Sequence, residues 1–300
     1  MKNYNAPSNR SELLLLITAI IWGFAFVAQR AGMEYIGPFT FNGIRFALGS
    51  LVLLPFIIWR KKVQGRHDNN ISASKPKPFW IAGIIAGVVL FGGASLQQVG
   101  ITQTTAGKAG FITGLYVIIV PIIGIFKQQH PGKALWAGAL LAVIGMYLLS
   151  ITGNLKLKNG DFLVFLSAFL WAAHVQVIDF FSGRVDVLKL AALQFAICSI
   201  ASICIAFITE IITLPSILQA SIPILYGGIL SVGIAYTLQV VAQQKANPSH
   251  AAIILSLETV FAALGGWMIL DEKLSARALV GCSLMLGGML IAQRNKTKVI

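Results

Sequence analysis

Residues 11–58 read SELLLLITAIIWGFAFVAQRAGMEYIGPFTFNGIRFALGSLVLLPFII, and residues 160–208 read GDFLVFLSAFLWAAHVQVIDFFSGRVDVLKLAALQFAICSIASICIAFI. Laid over one another at an offset of 149, Trp22 falls on Trp171, Ala19 on Ala168, Phe46 on Phe195 and Arg45 on Gln194. Further along the offset shortens to 142–143, where Leu96 and Gln97 fall on Leu238 and Gln239, Ala109 on Ala251, Leu115 on Leu257, Gly138 on Gly281 and Gly145 on Gly288. One matched Ala, Leu or Gly says little in so apolar a chain. A steady offset that carries Trp, Phe and Gln marks a duplication. Many secondary transporters are built from a duplicated hydrophobic unit, with the substrate site at the seam between the halves.

Composition sets the solvent of this duplicated unit. Of 300 residues, 57% are hydrophobic and 11% charged, where a soluble domain carries about 25% charged residues. Ten apolar stretches can be marked, at 12–31, 39–59, 79–101, 106–126, 133–151, 161–181, 187–209, 221–244, 249–270 and 275–293. Each is near the roughly 20 residues that span a bilayer. In lipid the backbone must satisfy its own hydrogen bonds, so each stretch reads as a helix. The polar stretch 60–78, with Lys61, Lys62, Arg66, Lys75 and Lys77, reads as a loop. Lys2 and Arg10 precede an apolar run in the manner of a signal peptide, but 13–28 is long for one and no clear cleavage site follows, so it reads as a retained first helix.

The net charge of +13 resembles that of a nucleic-acid binder. The bases sit instead in short loops and tails, the pattern that orients a membrane protein, and no nucleic-acid partner is expected. With the N-terminus in the cytoplasm, sixteen Lys and Arg lie on the inner side and six on the outer side, with Arg45 inside an apolar run. That bias places both termini inside. Five helices per repeat is an odd number, so the second copy runs opposite to the first. The expected fold is an all-α membrane protein of ten transmembrane helices, as two inverted five-helix repeats over 1–153 and 154–300.

Polar groups that lipid should exclude are the candidates for function. Arg45 is about six residues into the second stretch, with Asn42 three residues earlier on the same helical face and Gln194 as its repeat partner. It either snorkels outward or faces the bundle interior, and polarity at both repeat positions favours the interior. Glu258 stands near mid-depth with no neutralising neighbour in sequence, and its repeat partner is Tyr116. It can be protonated, pair with an inward base, bind a cationic substrate or a proton, or hold a neighbouring helix. Trp22 and Trp171 sit mid-span, away from the headgroup level where anchoring Trp belongs. They pack the bundle or line a cavity. His174 shares a face with Trp171 and is assigned to the cavity wall, as proton shuttle or network cap. Gln97 and Gln239 match across the repeat and serve the cavity or bind helices together. With Phe26 and Tyr236 these make the substrate-binding candidates, and Glu258 and His174 the proton-coupling candidates. Asp179, Gln29, Arg30 and Lys108 lie near span ends and are expected to be exposed, as is the 271–273 loop.

Gly83-x3-Gly87, Gly110-x3-Gly114 and Ser283-x3-Gly287 have the spacing of close helix contacts. Pro55 and Pro121 interrupt apolar runs and can kink them. The three cysteines, Cys198, Cys204 and Cys282, lie inside apolar runs and form neither a disulfide framework nor a metal spacing. The sequence carries no H-E-x-x-H, G-x-S-x-G, P-loop or G-x-G-x-x-G. No catalytic residue, cofactor or metal is expected.

Four passages carry a family likeness: WGFAF at 22–26, NGIRFA at 42–47, AGFITGLY at 109–116 running on to Pro121, and Leu257-Glu258 with Asp271-Glu272-Lys273-Leu274. In order and spacing they resemble the EamA-type drug/metabolite transporters. Thr259 departs from that pattern, standing where Pro is common, and Ala172-Ala173 replaces the Gly-Phe of the first repeat. The resemblance implies a central cavity formed by spans one to four and six to nine, with spans five and ten supporting it or mediating oligomer contacts, in a monomer or homodimer. It also implies a secondary transporter of the inner membrane, often an exporter of amino acids or other small metabolites. Arg45 would then meet a substrate carboxylate and the two Trp would supply an apolar or cation-accepting wall. Efflux of lipophilic cations with Glu258 as counter-charge, and a passive channel or facilitator, are the alternatives.

Overall fold

The computed structural model describes residues 9–64, 76–126, 131–150, 159–272 and 275–294. Its helices are α1 (Asn9–Gly32), α2 (Pro38–Gln64), α3 (Pro76–Ile101), α4 (Ala106–Gly114), α5 (Tyr116–Phe126), α6 (Lys133–Ser150), α7 (Asn159–Ser182), α8 (Val187–Thr209), α9 (Leu214–Gln219), α10 (Ser221–Leu225), a π-helical stretch Tyr226–Tyr236, α11 (Thr237–Ala242), α12 (Pro248–Leu255), α13 (Glu258–Ile269) and α14 (Ala276–Arg294). Among the described residues, eight continuous or jointed helices are long and apolar enough to cross a membrane, and the apolar helices Lys133–Leu148 and Ala276–Ala292 are shorter. The stretch expected to be a loop, 60–78, is helical at both ends, since α2 runs to Gln64 and α3 begins at Pro76. Its centre lies outside the described residues.

Several helix starts are written in the sequence. Thr105 caps α4 by accepting from the Lys108 N–H, Asp186 caps α8 by accepting from Leu188 and Lys189, and Asn247 caps α12 just ahead of Pro248. Each oxygen satisfies a backbone donor that the first turn leaves open. The C-terminal end of α13 is less legible. Asp271 takes a left-handed φ of 53°, a conformation Asp tolerates better than most residues. The chain turns back there, and the Glu272 carboxylate accepts from the Ala106 and Gly107 N–H groups at 3.2 and 3.4 Å. Glu272 therefore caps α4 from across the bundle and is not the solvated loop residue expected, while Asp271 is exposed. Lys273 lies outside the described residues.

Two apolar stretches that read as single helices are jointed. At Leu115 the N–H bonds to the Ile112 carbonyl at 3.3 Å, a tighter turn than the α-helix makes. At Ser256–Leu257 the Leu257 N–H reaches Ile254 at 3.2 Å, and the Ser256 hydroxyl takes the Ile253 carbonyl at 2.8 Å. Such side-chain bonds bend helices, so the joint forms although Thr259 is not a proline. Tyr116 and Glu258 each begin the segment after a joint.

The helices pack α2 on α8, α3 on α7, α6 on α14, and α1 on α13 and the π-helical stretch. Backbone contact decides several of these pairs. A Cβ on Gly100 would lie 2.6 Å from the Gly160 carbonyl oxygen, and one on Gly160 would lie 2.6 Å from that of Gly100. Only glycine permits this approach of α3 to α7. Gly83 and Gly87 likewise meet Leu193 and Ile197 of α8, and Gly110 and Gly114 meet Ala262 and Thr259. The third expected spacing fails: Gly287 meets nothing within 4 Å, and Gly288 and Gly281 are the α14 residues against α6. Large apolar side chains such as Leu51, Phe56, Trp80, Ile85 and Phe207 point outward, as lipid-facing positions require.

Candidate functional site

The helices converge on a central cavity of about 40 Å³, room for about three water-sized molecules. Its aromatic wall is built around Tyr236, whose ring centroid is 4.6 Å from that of Trp22 and 6.1 Å from that of Trp171, with Phe26 beside them on α1. Tyr236 comes from the end of the π-helical stretch. There i→i+5 bonding brings residues five apart near one another, whereas five residues of α-helix turn a side chain about 140° away. Ser231 and Tyr236 accordingly line the same cavity. The carbonyls of that stretch hold α1: Trp22 Nε1 donates to the Ser231 oxygen at 3.2 Å, and the Thr18 hydroxyl to that of Ala235 at 3.3 Å.

Arg45 reaches the cavity with 2% of its surface exposed. Its Nε donates to Asn42 Oδ1 at 3.0 Å, and Asn42 Nδ2 in turn donates to the Ala94 carbonyl at 3.1 Å. The guanidinium carbon lies over the Phe46 and Phe41 rings at 4.9 and 5.5 Å, contacts that stabilise a desolvated cation. No carboxylate pairs with Arg45 among the described residues. The side chain is therefore oriented and packed on the cavity wall, with no carboxylate partner among the described residues.

Glu258 is the carboxyl of the same cavity. It is 4% exposed on the same cavity and interacts electrostatically with the Tyr116 phenol. Neither Glu258 Oε1 nor Tyr116 Oη has hydrogen-bond geometry to any partner among the described residues. The site thus holds a cation and a carboxyl that do not neutralise each other as an ion pair.

A chain of hydrogen bonds runs through the cavity wall. Gln97 Oε1 accepts from Trp171 Nε1 at 2.7 Å and from the Thr113 hydroxyl at 3.4 Å, and Gln97 Nε2 donates to Gln29 Oε1 at 3.1 Å. The Gln29 amide then donates to the Ala25 carbonyl at 3.2 Å. Since the indole N–H can only donate, it fixes which way the Gln97 amide faces. Gln97→Leu is expected to leave the Trp171 N–H and the Gln29 carbonyl unpaired, and to lower stability by about 1–3 kcal/mol. Thermal unfolding in detergent reads this directly; an unchanged midpoint would deny the network a structural role.

Of the residues singled out from sequence, Trp22, Phe26, Arg45, Gln97, Tyr116, Trp171, Tyr236, Gln239 and Glu258 line the cavity. Asn42, His174 and Gln194 do not. Asn42 stands behind Arg45. His174 Nε2 and Gln194 Oε1 bond to each other at 2.9 Å between α7 and α8, off the cavity lining, while Gln194 Nε2 has no partner among the described residues. The His174 ring meets Tyr236 edge-on, with centroids 6.2 Å apart, behind the aromatic wall rather than in it. The expected exposure of span-end polar residues also fails. Gln29 is buried in the cavity wall and Asp179 is buried, while Arg30 is half-buried. Lys108 Nζ pairs with Asp161 at 2.6 Å, and Asp161 also accepts from the Thr104 hydroxyl at 2.9 Å. Helix ends here are covered by neighbouring helices, so closeness to a span end does not mean contact with water. Gln29, Thr113 and Ser231 were absent from the sequence candidates. Gln29 follows Trp22 and Phe26 on one face of α1 at helical spacing, a signal that was available; Ser231 depends on the π-helix and was not readable.

The model of the EamA-like transporter family matches this chain over residues 9–151 and again over 158–293. A protein of Archaeoglobus fulgidus described as an uncharacterized transporter is 31% identical over 284 residues, covering 94% of this chain and 85% of its own. The uncharacterized transporter YoaV of Bacillus subtilis is 23% identical over 286 residues, covering 92% and 94%. A solved crystal structure, 18% identical, superposes over 95% of this chain and 98% of its own with a TM-score of 0.78, a likeness of fold. Apolar helices of membrane-spanning length, a buried cavity between them and these matches agree, and the chain belongs to the EamA-like transporter family.

Proposed function

We propose that this protein is a secondary transporter that moves small zwitterionic metabolites, amino acids first, by alternating access. The observation that carries the reading is the cavity with Arg45 and Glu258 on one wall system and no ion pair between them. A free α-amino acid offers both complements: a carboxylate for the Arg45 Nη groups and an ammonium for Glu258 and Tyr116. Charge-assisted hydrogen bonds of this kind are about twice as strong as neutral ones. A lipophilic cation would suit Glu258 and the aromatic wall, but it would have to enter beside the unpaired Arg45 guanidinium. The cavity's small volume favours a carrier over an open passage.

The architecture proposed for this mechanism is ten spans in two inverted repeats, 1–153 and 154–300, with both termini cytoplasmic in the inner membrane and flux outward. Support comes from the pairing of α2 with α8 and of α6 with α14, each joining positions that correspond in the repeat, and from the packing of α3 on α7, which α1 on the π-helical stretch mirrors in the other half. The joints at Leu115 and Leu257 also fall at matched positions. Purified protein in liposomes should exchange labelled amino acids with saturable counterflow; conductance without saturation would sink the carrier reading. Glu258 is the proton-coupling candidate that reaches the cavity. Glu258→Gln is expected to abolish uptake driven by an imposed pH gradient, and full gradient-driven transport in that variant would exclude Glu258 as the coupling site.

A further inference from the structure

Three polar atoms of the cavity residues lack a hydrogen-bond partner among the described residues: Tyr116 Oη, Glu258 Oε1 and Gln239 Oε1. The first two belong to the charged part of the site. Gln239 is unexplained. It is 1% exposed on the cavity wall, and a buried amide oxygen without a partner is costly. Its counterpart in the other half makes the contrast sharp. Gln97 is held by Trp171, Thr113 and Gln29, so of two matched glutamines one is fully bonded and one is open. Helix packing accounts for Gln97 and not for Gln239.

We infer that Gln239 is the side-chain station of the substrate site, selecting amino acids with a hydroxyl or amide side chain over apolar isosteres. This rests on the amino-acid reading of the cavity. A hydroxyl both donates and accepts, so it satisfies the Gln239 amide whichever way that amide faces. The apolar and aromatic part of the lining includes Trp22, Trp171, Tyr236, Val175 and Leu255. An apolar wall rejects an isostere weakly, whereas a group built to bond a substrate hydroxyl penalises the analogue that lacks it.

Threonine and valine have the same shape and differ in one hydroxyl, so they separate the two cases. The measurement is competition by each against counterflow of labelled alanine in proteoliposomes of the full chain. Threonine is expected to compete about tenfold better than valine. In Gln239→Leu the ratio should fall toward one. Parity of threonine and valine in the unmodified protein overturns the inference, as does a preference that survives in Gln239→Leu. In both cases continued alanine exchange leaves the amino-acid reading standing. If alanine, threonine and valine neither exchange nor shift the melting temperature, the amino-acid reading itself fails and the station falls with it. Should Gln239→Leu not fold, the comparison in the unmodified protein decides alone.

Discussion

Arg45→Ala will weaken binding of carboxylate-bearing substrates by roughly 10- to 150-fold, the equivalent of about 1.5–3 kcal/mol for a hydrogen bond to a charged group. The variant should still fold. Phe41 and Phe46, which flank the guanidinium, are fully buried by other contacts, and the hydrogen bond lost inside the protein is the one to Asn42 Oδ1. Arg45→Lys should rescue little. Lysine has no Nε to bond Asn42 while two further donors face the cavity, and no planar group to lie over the rings. The discriminating control is a substrate analogue without its carboxylate, such as the corresponding amine, which should bind both variants and the unmodified protein alike. Titration by ligand-induced thermal shift reads these affinities without requiring transport, since bound ligand stabilises the folded state by mass action. Unchanged affinity for the carboxylate form in Arg45→Ala would remove Arg45 from the binding site.

Gly288→Val should cost more stability than any substitution in the cavity. A Cβ there would stand 2.6 Å from the Gly138 carbonyl oxygen, and a Cβ on Gly138 would stand 2.6 Å from that of Gly288. One turn pair further along, a Cβ on Gly145 would stand 2.5 Å from the Gly281 oxygen. These are contacts with backbone, which cannot rotate away as a side chain can. Overpacking typically costs about 1–3 kcal/mol and more where relief is blocked. In lipid no hydrophobic drive compensates a lost close fit, because tails are as apolar as side chains. The expected result is loss of folded, monodisperse protein on detergent extraction for Gly288→Val and Gly138→Val. Gly287→Val, one residue away and meeting nothing within 4 Å, should extract normally. Equal yields of all three would mean that α6 and α14 do not depend on backbone contact.

The legible part of the site was the part that lipid makes anomalous. Arg45, Glu258, Gln97, Gln239 and the mid-span Trp22 and Trp171 stand out because such groups are costly or misplaced in an apolar run, and each reaches the cavity. The same criterion misplaced His174 and Gln194. Two polar residues on adjacent helices can bond to each other instead of facing the cavity, and sequence does not show which of two interior directions a side chain takes. Gln29 and Glu272 were read as exposed for the opposite reason. Their position near helix ends suggests water, but neighbouring helices cover those ends and use the side chains as bonds and caps. The joints at Leu115 and Ser256–Leu257 follow from one-residue shifts in hydrogen bonding, which no periodicity of apolar residues records.

Sequence alone determined the solvent and the elements. An 11% charged chain with repeated apolar runs has lipid as its environment, and in lipid the backbone has helix as its refuge. It also determined membership of its family, through motifs whose order survives even where single residues vary. Only the tertiary structure decided which polar groups share a space. Arg45 and Glu258 are 213 residues apart in the chain, and they line one cavity because glycine contacts let α1, α3, α7 and α13 approach. It likewise decided that Gln97 is bonded and Gln239 is open. The two glutamines are identical in type and in repeat position, and what separates them is the donors that neighbouring helices bring within reach.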